Sequence, residues 1–155
     1  MKAEFINPFL EALLEVLSTM AMTNAVAGKP SLKDKGMPEA KGDVSGIIGM
    51  ASEQTKGSLA ITFTEAAILD IASKMLCEKI EVLDSEVADM VGEITNMVCG
   101  GAKMRLSEKG YKFDLAIPTM VMGKNHVITH KSKGPVVIIP FKIEAGEFFV
   151  EISFE

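Results

Sequence analysis

Two stretches of this chain repeat their apolar residues at a helical period, and most of the rest alternates at a strand period. Across 4–22, Phe5, Phe9, Leu10, Leu13, Leu14, Leu17 and Met20 fall at the i, i+3, i+4 spacing of an amphipathic helix. Pro8 sits within the first turn or so, where proline is tolerated. A second, longer helix is predicted from 85 to about 108. At 100° per residue, Val87, Met90, Val91, Ile94, Val98 and Gly101 gather in one inward stripe. Asp84 is placed to cap its start, Glu86 complements the dipole in its first turn, and Gly110 suits its C-terminal cap. A shorter helix is predicted over 65–76, with Thr64 as N-cap. Residues 43–51 and 58–63 read as paired strands joined by a turn at 53–57, and further strands are expected at 112–117, 119–122, 126–130, 136–144 and 147–154. The segment 23–43 holds three glycines and two prolines and reads as a loop or a ragged edge strand.

This order predicts an α+β fold: an antiparallel or mixed sheet of about six strands with the long helices packed on one side, in a single domain over 1–155. It also hints at an internal αββ duplication. A long helix followed by two strands appears twice, and Gly57-Ser-Leu-Ala-Ile-Thr-Phe63 can be set beside Gly134-Pro-Val-Val-Ile-Ile-Pro-Phe141.

Composition narrows the function. Apolar residues make up 48% of the 155, enough for a substantial core, and eleven Met with no Trp make that core aliphatic and thioether-rich with some Phe. A net charge of -5 disfavours nucleic acid, which needs clustered Lys and Arg. No apolar run approaches the roughly 20 residues of a membrane span, since Glu11 and Glu15 interrupt the N-terminal candidate. The N-terminus lacks the layout of a signal peptide. Cys77 and Cys99 are isolated and expected to be reduced, in a cytoplasmic protein. His126 and His130 are four apart on a predicted strand, hence about 13 Å apart on one face, too far for one metal; exposed hairpin histidines are expected, and no metal site. Gly46, Gly49 and Gly57 form no phosphate loop, and no nucleophile elbow is present.

One polar pair lacks a packing reason. On the long helix, Glu93 and Asn96 fall off the apolar stripe, Asn96 nearly opposite its centre and Glu93 on its flank, and their i, i+3 spacing makes them surface neighbours. Asp89 and Gly100 share that sector, one turn away on either side. Two adjacent glycines should each cost about 1 kcal/mol in a helix interior. Gly101 faces inward, toward close packing; Gly100 faces outward, where a missing side chain admits another molecule to the backbone. Glu-x-x-Asn arises by chance in roughly a third of chains this long, so the pair alone identifies nothing.

The context adds more. Asp89-Met-Val-Gly-Glu-Ile-Thr-Asn-Met-Val-Cys-Gly-Gly-Ala102 resembles the signature helix of the CheC/CheX/FliY family of chemotaxis phosphatases, and the resemblance is supported by Lys56-Gly-Ser-Leu-Ala-Ile-Thr-Phe-Thr-Glu-Ala-Ala-Ile68, Pro118-Thr-Met-Val-Met-Gly123 and Val136-Val-Ile-Ile-Pro-Phe141. These anchors follow in the order and approximate spacing of CheX-like members, from about residue 44 onward. The resemblance implies an aspartyl-phosphate phosphatase, a hydrolase acting on a phosphorylated CheY-like response regulator in chemotaxis or related two-component signalling. It implies Asn96 as the group orienting the attacking water and Glu93 as the partner of a regulator lysine, with Asp89, Gly92 and Gly100 meeting the regulator around them. No cofactor is expected on this chain; Mg²⁺ is expected on the regulator. CheC-type relatives carry the pair in both halves, whereas here the first helix offers Glu11 and Glu15 with no Asn three residues on, so one site per chain is expected. CheX-like chains pair through the sheet, which implies a homodimer, with alternating Phe148, Val150 and Ile152 as a candidate edge. The alternative on the same fold is a non-catalytic module that docks a regulator without hydrolysing its phosphate.

Overall fold

The computed structural model describes residues 3–33, 40–130 and 134–155. Helix α1 covers Ala3–Met20, α2 covers Glu65–Leu76 and α3 covers Ser85–Glu108. The strands are β1 (Val26–Ala27), β2 (Ser31–Leu32), β3 (Gly42–Ala51), β4 (Lys56–Phe63), β5 (Asp114–Leu115), β6 (Thr119–His126), β7 (Val136–Ile143) and β8 (Gly146–Phe154). They form one eight-stranded sheet, antiparallel throughout, in the order β1-β7-β8-β4-β3-β5, with β2 also on β7 and β6 also on β3. The helices lie on one side of it, so the fold is α+β as expected. The short pieces β1 and β2 fall in the segment read as a loop or ragged edge strand, and the strand expected at 112–117 shortens to β5.

Four long strands make the centre. The hairpins β3–β4 and β7–β8 join back to back through β4 and β8, with Gly57 opposite Phe154 and Phe63 opposite Phe148. This arrangement corrects two sequence expectations. The strand carrying Phe148, Val150 and Ile152 is no edge, because it pairs on both sides; the edges are β1 and β2 beyond β7, and β5 and β6 beyond β3. The segments set side by side for a duplication are also not equivalent, since 57–63 is the second strand of its hairpin and 134–141 contains the first strand of the other.

Strand alternation separates the two sheet faces. Leu59, Ile61 and Phe63 of β4 and Phe148, Val150 and Ile152 of β8 are buried beneath the helices, with Phe141 stacked on Phe148 at a centroid distance of 5.0 Å. The opposite face carries a buried polar layer. Ser45 and Thr62 hydrogen-bond at 2.8 Å, and His126 Nε2 meets Ser45 Oγ at 2.6 Å. Glu151, fully buried, receives Lys33 Nζ at 2.8 Å, while His130 Nδ1 meets Ser58 Oγ at 2.7 Å. The histidines are therefore not exposed hairpin residues. The strand ends at His126, residues 127–130 fold back over the sheet, and the His130 side chain is 1% exposed. A buried carboxylate needs a partner to offset its desolvation, and Lys33 supplies it, with His130 Nε2 lying 3.5 Å from the same carboxylate oxygen.

The helix ends obey local rules with one exchange. Asp84 accepts from Val87 N–H at 3.1 Å, as its position predicts. At the other end Gly110, at φ +92°, lets Tyr111 N–H reach the Leu106 carbonyl at 2.9 Å and Gly110 N–H reach that of Ser107 at 3.0 Å, a Schellman closure. At α2, Thr64 holds the N-cap position, but its hydroxyl donates to the Glu147 carbonyl at 2.6 Å. The Asp43 carboxylate on β3 accepts from Glu65 N–H at 2.7 Å instead.

Candidate functional site

Helix α3 is the rod on which the site is mounted, and its seating explains its rigidity. Val87, Ala88, Val91, Gly92, Ile94, Thr95, Val98, Cys99, Ala102 and Leu106 are buried. At 100° per residue they cover about 160° of the circumference, wider than the stripe the sequence suggests, because α3 packs on both the sheet and α1. Two glycines permit the close approach. A methyl at Gly46 of β3 would overlap the Thr95 hydroxyl and lie 3.2 Å from Val91 Cγ1. One at Gly101 would lie 2.9 Å from Ala12 Cβ on α1. Arg105 closes the α1 side: it donates to the Gly101 carbonyl at 3.1 Å, pairs with Glu15, and lies 3.4 Å from Glu11. Cys99, sealed in this interface, has its thiol pKa raised by burial.

What remains open is a single ridge. Glu86, Asp89, Glu93, Asn96, Gly100, Lys103, Met104 and Ser107 are all exposed. Apart from the adjacent Lys103 and Met104, they follow one another at three- and four-residue steps, so the ridge runs about 32 Å along the helix at 1.5 Å per residue. Glu93 and Asn96 sit near its middle. Among the described residues neither side chain makes a hydrogen bond or ion pair within the chain. An unpartnered carboxylate and carboxamide, one turn apart on a firmly packed helix, are available to another molecule.

The other sequence candidates divide. Asp89 is exposed on the same ridge, and a methyl at Gly100 would meet nothing within 4 Å, so both flank the pair as expected. Gly92 does not. It is buried, and a methyl there would fall 2.8 Å from Met120 Sδ on β6. Its glycine has a packing reason, the close passage of β6, and it stands outside the open surface. Sequence reasoning also missed Arg105 as the brace between the long helices. The Arg105 position four residues after Gly101 was the available signal, since a long side chain reaches back one turn on the same face.

The shape of the site limits its substrates. A concavity of about 640 Å³ is lined by Ala51, Ser52, Glu53, Gln54, Gly110, Lys112 and Asp114, at the β3–β4 turn and the far end of α3, and includes neither Glu93 nor Asn96. Small molecules are held in clefts that bury most of their surface. A convex ridge suits a macromolecule that brings the cleft. Glu86, Asp89 and Glu93 make one half of the ridge acidic, so it attracts a pocket that presents a cation. No helix among the described residues is long and apolar enough to cross a membrane.

Comparison with known proteins agrees with this geometry. The model of the family described as chemotaxis phosphatase CheX matches residues 44–142. The CheY-P phosphatase CheX of Thermotoga maritima is 28% identical over 151 residues, covering 96% of this chain and 94% of that one. A crystal structure of a CheC-like superfamily protein from Shewanella sp. PV-4 is 58% identical with a TM-score of 0.94, covering 100% and 99% of the two chains. CheX from Borrelia burgdorferi, solved in a complex with CheY, BeF3 and Mg²⁺, is 31% identical with a TM-score of 0.81 and 97% coverage of both. An open Glu-x-x-Asn ridge on this sheet-and-helix frame thus has a family to account for it, and the chain belongs to the chemotaxis phosphatase CheX family.

Proposed function

We propose that this protein hydrolyses the aspartyl phosphate of a CheY-like response regulator, with Asn96 orienting the attacking water and Glu93 engaging a lysine of the regulator. The observation that carries the reading is the pair itself, exposed and unpartnered at the middle of a ridge whose opposite side is clamped in the core. A relative that shares 31% of its residues was crystallised with CheY, BeF3 and Mg²⁺.

The chemistry asks little of this chain. An aspartyl phosphate is already an activated acyl phosphate, and hydrolysis by attack at phosphorus needs an in-line water and neutralisation of the phosphoryl oxygens. The regulator brings Mg²⁺ and a lysine for the second task. The phosphatase adds position. The Asn96 carboxamide suits it: its oxygen accepts from the water while its NH₂ donates elsewhere, so the water's lone pair is turned toward phosphorus. A side chain on a packed helix holds that geometry better than one on a loop. Glu93, ionised, pairs with the lysine; the pair loses water as the surfaces close and fixes the register of docking. Asp89 and Gly100 complete the contact, one by charge and the other by leaving the helix backbone uncovered. No nucleophile, metal or cofactor of this chain enters the reaction.

The protein is cytoplasmic in this reading, as its substrate would be, and works as a homodimer with one site per chain. What supports the dimer is the edge strand β6, with Met120 and Met122 partly exposed and Ile117 beside it 88% exposed. Sedimentation at micromolar concentration should give twice the chain mass.

The deciding experiment times phosphate loss from a phosphorylated CheY-like receiver. Wild-type protein should accelerate it and Asn96→Ala should not. Equal rates from the two would remove Asn96 from catalysis. Tight binding without any acceleration by the wild type would establish the non-catalytic docking module instead.

A further inference from the structure

The exposed ridge of α3 extends well past the catalytic pair, and its second half has a different chemistry. From Glu86 to Glu93 every charged position is acidic; after Asn96 and the bare Gly100 come Lys103 and Met104. Lys103 makes no ion pair among the described residues. Met104 is 60% exposed although it lies on a helix with ten buried positions. It is the apolar side chain among the exposed positions of the ridge. Neither residue has an internal reason for its exposure, which is the same property that singles out Glu93 and Asn96.

We propose that Lys103 and Met104 form a second contact with the response regulator, one that sets the direction of docking and selects among receivers. The proposal rests on the ridge being the docking surface. The helical rise places Lys103 about 10 Å and Met104 about 12 Å beyond Asn96. A stable protein interface buries about 800 Å² on each partner, a disc of about 16 Å radius. A receiver centred on the pair therefore covers both residues. Two polar side chains inserted into a phosphorylation pocket supply geometry but little apolar burial, whereas binding energy concentrates in a few well-packed anchors. Met104 is that anchor: long, unbranched and polarisable, it fits an irregular apolar patch. Gly100, between Asn96 and Met104, leaves a notch that lets the receiver surface reach down to it. Lys103 supplies the direction. With carboxylates before the pair and an ammonium after it, a receiver docked in reverse meets like charge at both ends. The complementary surface is an acidic side chain beside an apolar patch, about three helical turns from the lysine that meets Glu93.

The test separates Michaelis constant from turnover, using the same phosphorylated CheY-like receiver that serves for the wild type. Met104→Ala should raise KM by about five- to ten-fold with kcat within about two-fold. Lys103→Glu should raise KM by about ten-fold at 50 mM salt, with the difference shrinking at 500 mM, and Lys103→Arg should restore the wild-type value. Unchanged KM in both Met104→Ala and Lys103→Glu would overturn the proposal, as would a fall in kcat at constant KM. Thermal unfolding of each variant should match the wild type, so a KM change is not a folding defect. Asn96→Ala, run alongside, tests the catalytic reading separately: its turnover falls whether or not Lys103 and Met104 touch the receiver.

Discussion

The two long helices lie side by side on one face of the sheet, and each offers solvent a pair of carboxylates, or a carboxylate and a carboxamide, about one turn apart. On α1, Glu11 and Glu15 are both occupied: each faces Arg105 across the helix interface. Even the backbone beside them is in use, with Ser18 and Thr19 hydroxyls donating to the Glu15 carbonyl at 3.2 and 2.7 Å. On α3, Glu93 and Asn96 find no hydrogen-bond or ion-pair partner among the described residues. Similar residue types, similar exposure and similar helical context thus come with opposite surroundings. A polar surface group that holds the fold together has an internal partner. One that works on another molecule is left without.

That contrast breaks first at Asn96. Removing one positioned group from a reaction that depends on positioning costs on the order of a hundred-fold in turnover, so Asn96→Ala should abolish most receiver dephosphorylation in a timed phosphate-loss assay. Its stability should stay within about 0.5 kcal/mol of wild type, because no contact is lost. Glu93→Ala comes second. It should lower kcat/KM by about ten-fold and weaken binding to a receiver held in the phosphorylated form, through the lost charge pair. Unchanged affinity would remove the lysine-pairing role and leave Glu93 no different from a solvated surface acid.

The sequence made α3 and its pair visible because helical period, capping and polar exposure are local properties. Asp84, Gly110 and the Glu93–Asn96 spacing each follow from a few neighbouring residues. Non-local geometry stayed hidden. Nothing near Gly92 announces that Met120 crosses above it, so an inward glycine and an outward one looked alike. The histidines failed for a related reason: His126 and His130 read as one strand because the chain's exit from β6 depends on contacts with Ser45 and Ser58, far away in sequence. The strand order belongs to the same class. Phe148, Val150 and Ile152 alternate as any half-buried strand does, and alternation cannot say whether neighbours lie on one side or both. The buried Glu151 does leave a trace, a carboxylate in the middle of a strand rich in Phe, Val and Ile, but its partner Lys33 is more than a hundred residues away.

Below the catalytic effects lie those on the seating of α3. Gly101→Val would drive a branched side chain into Ala12, and overpacking of this kind costs about 1–3 kcal/mol. The midpoint of thermal unfolding should fall accordingly. Cys99 provides an independent gauge. Sealed and with its thiol pKa raised by burial, it should resist alkylation at neutral pH in the native protein while the exposed Cys77 reacts. In Gly101→Val a second thiol should become reactive as α3 loosens. Protection of Cys99 equal to that in the wild type would show that the helices can separate locally without unseating the rod, and that Gly101 matters less to the site than the packing suggests.

The smallest effect sharpens the comparison most. Glu15→Ala deletes a carboxylate from α1 as Glu93→Ala does from α3, and both side chains are exposed. The two should nevertheless diverge in kind. Arg105 is only 22% exposed and keeps its bond to the Gly101 carbonyl and its neighbour Glu11 when Glu15 is gone. An exposed carboxylate paired to it contributes at most about 1 kcal/mol, and less as salt screens the pair. Glu15→Ala should therefore lower stability by a few tenths of a kcal/mol, by an amount that shrinks at high salt, with receiver dephosphorylation unchanged. Glu93→Ala should do the reverse, sparing stability and losing activity. A loss of activity in Glu15→Ala comparable to that in Glu93→Ala would mean that the regulator contacts α1 as well, and that the boundary between the structural helix and the working one has been drawn in the wrong place.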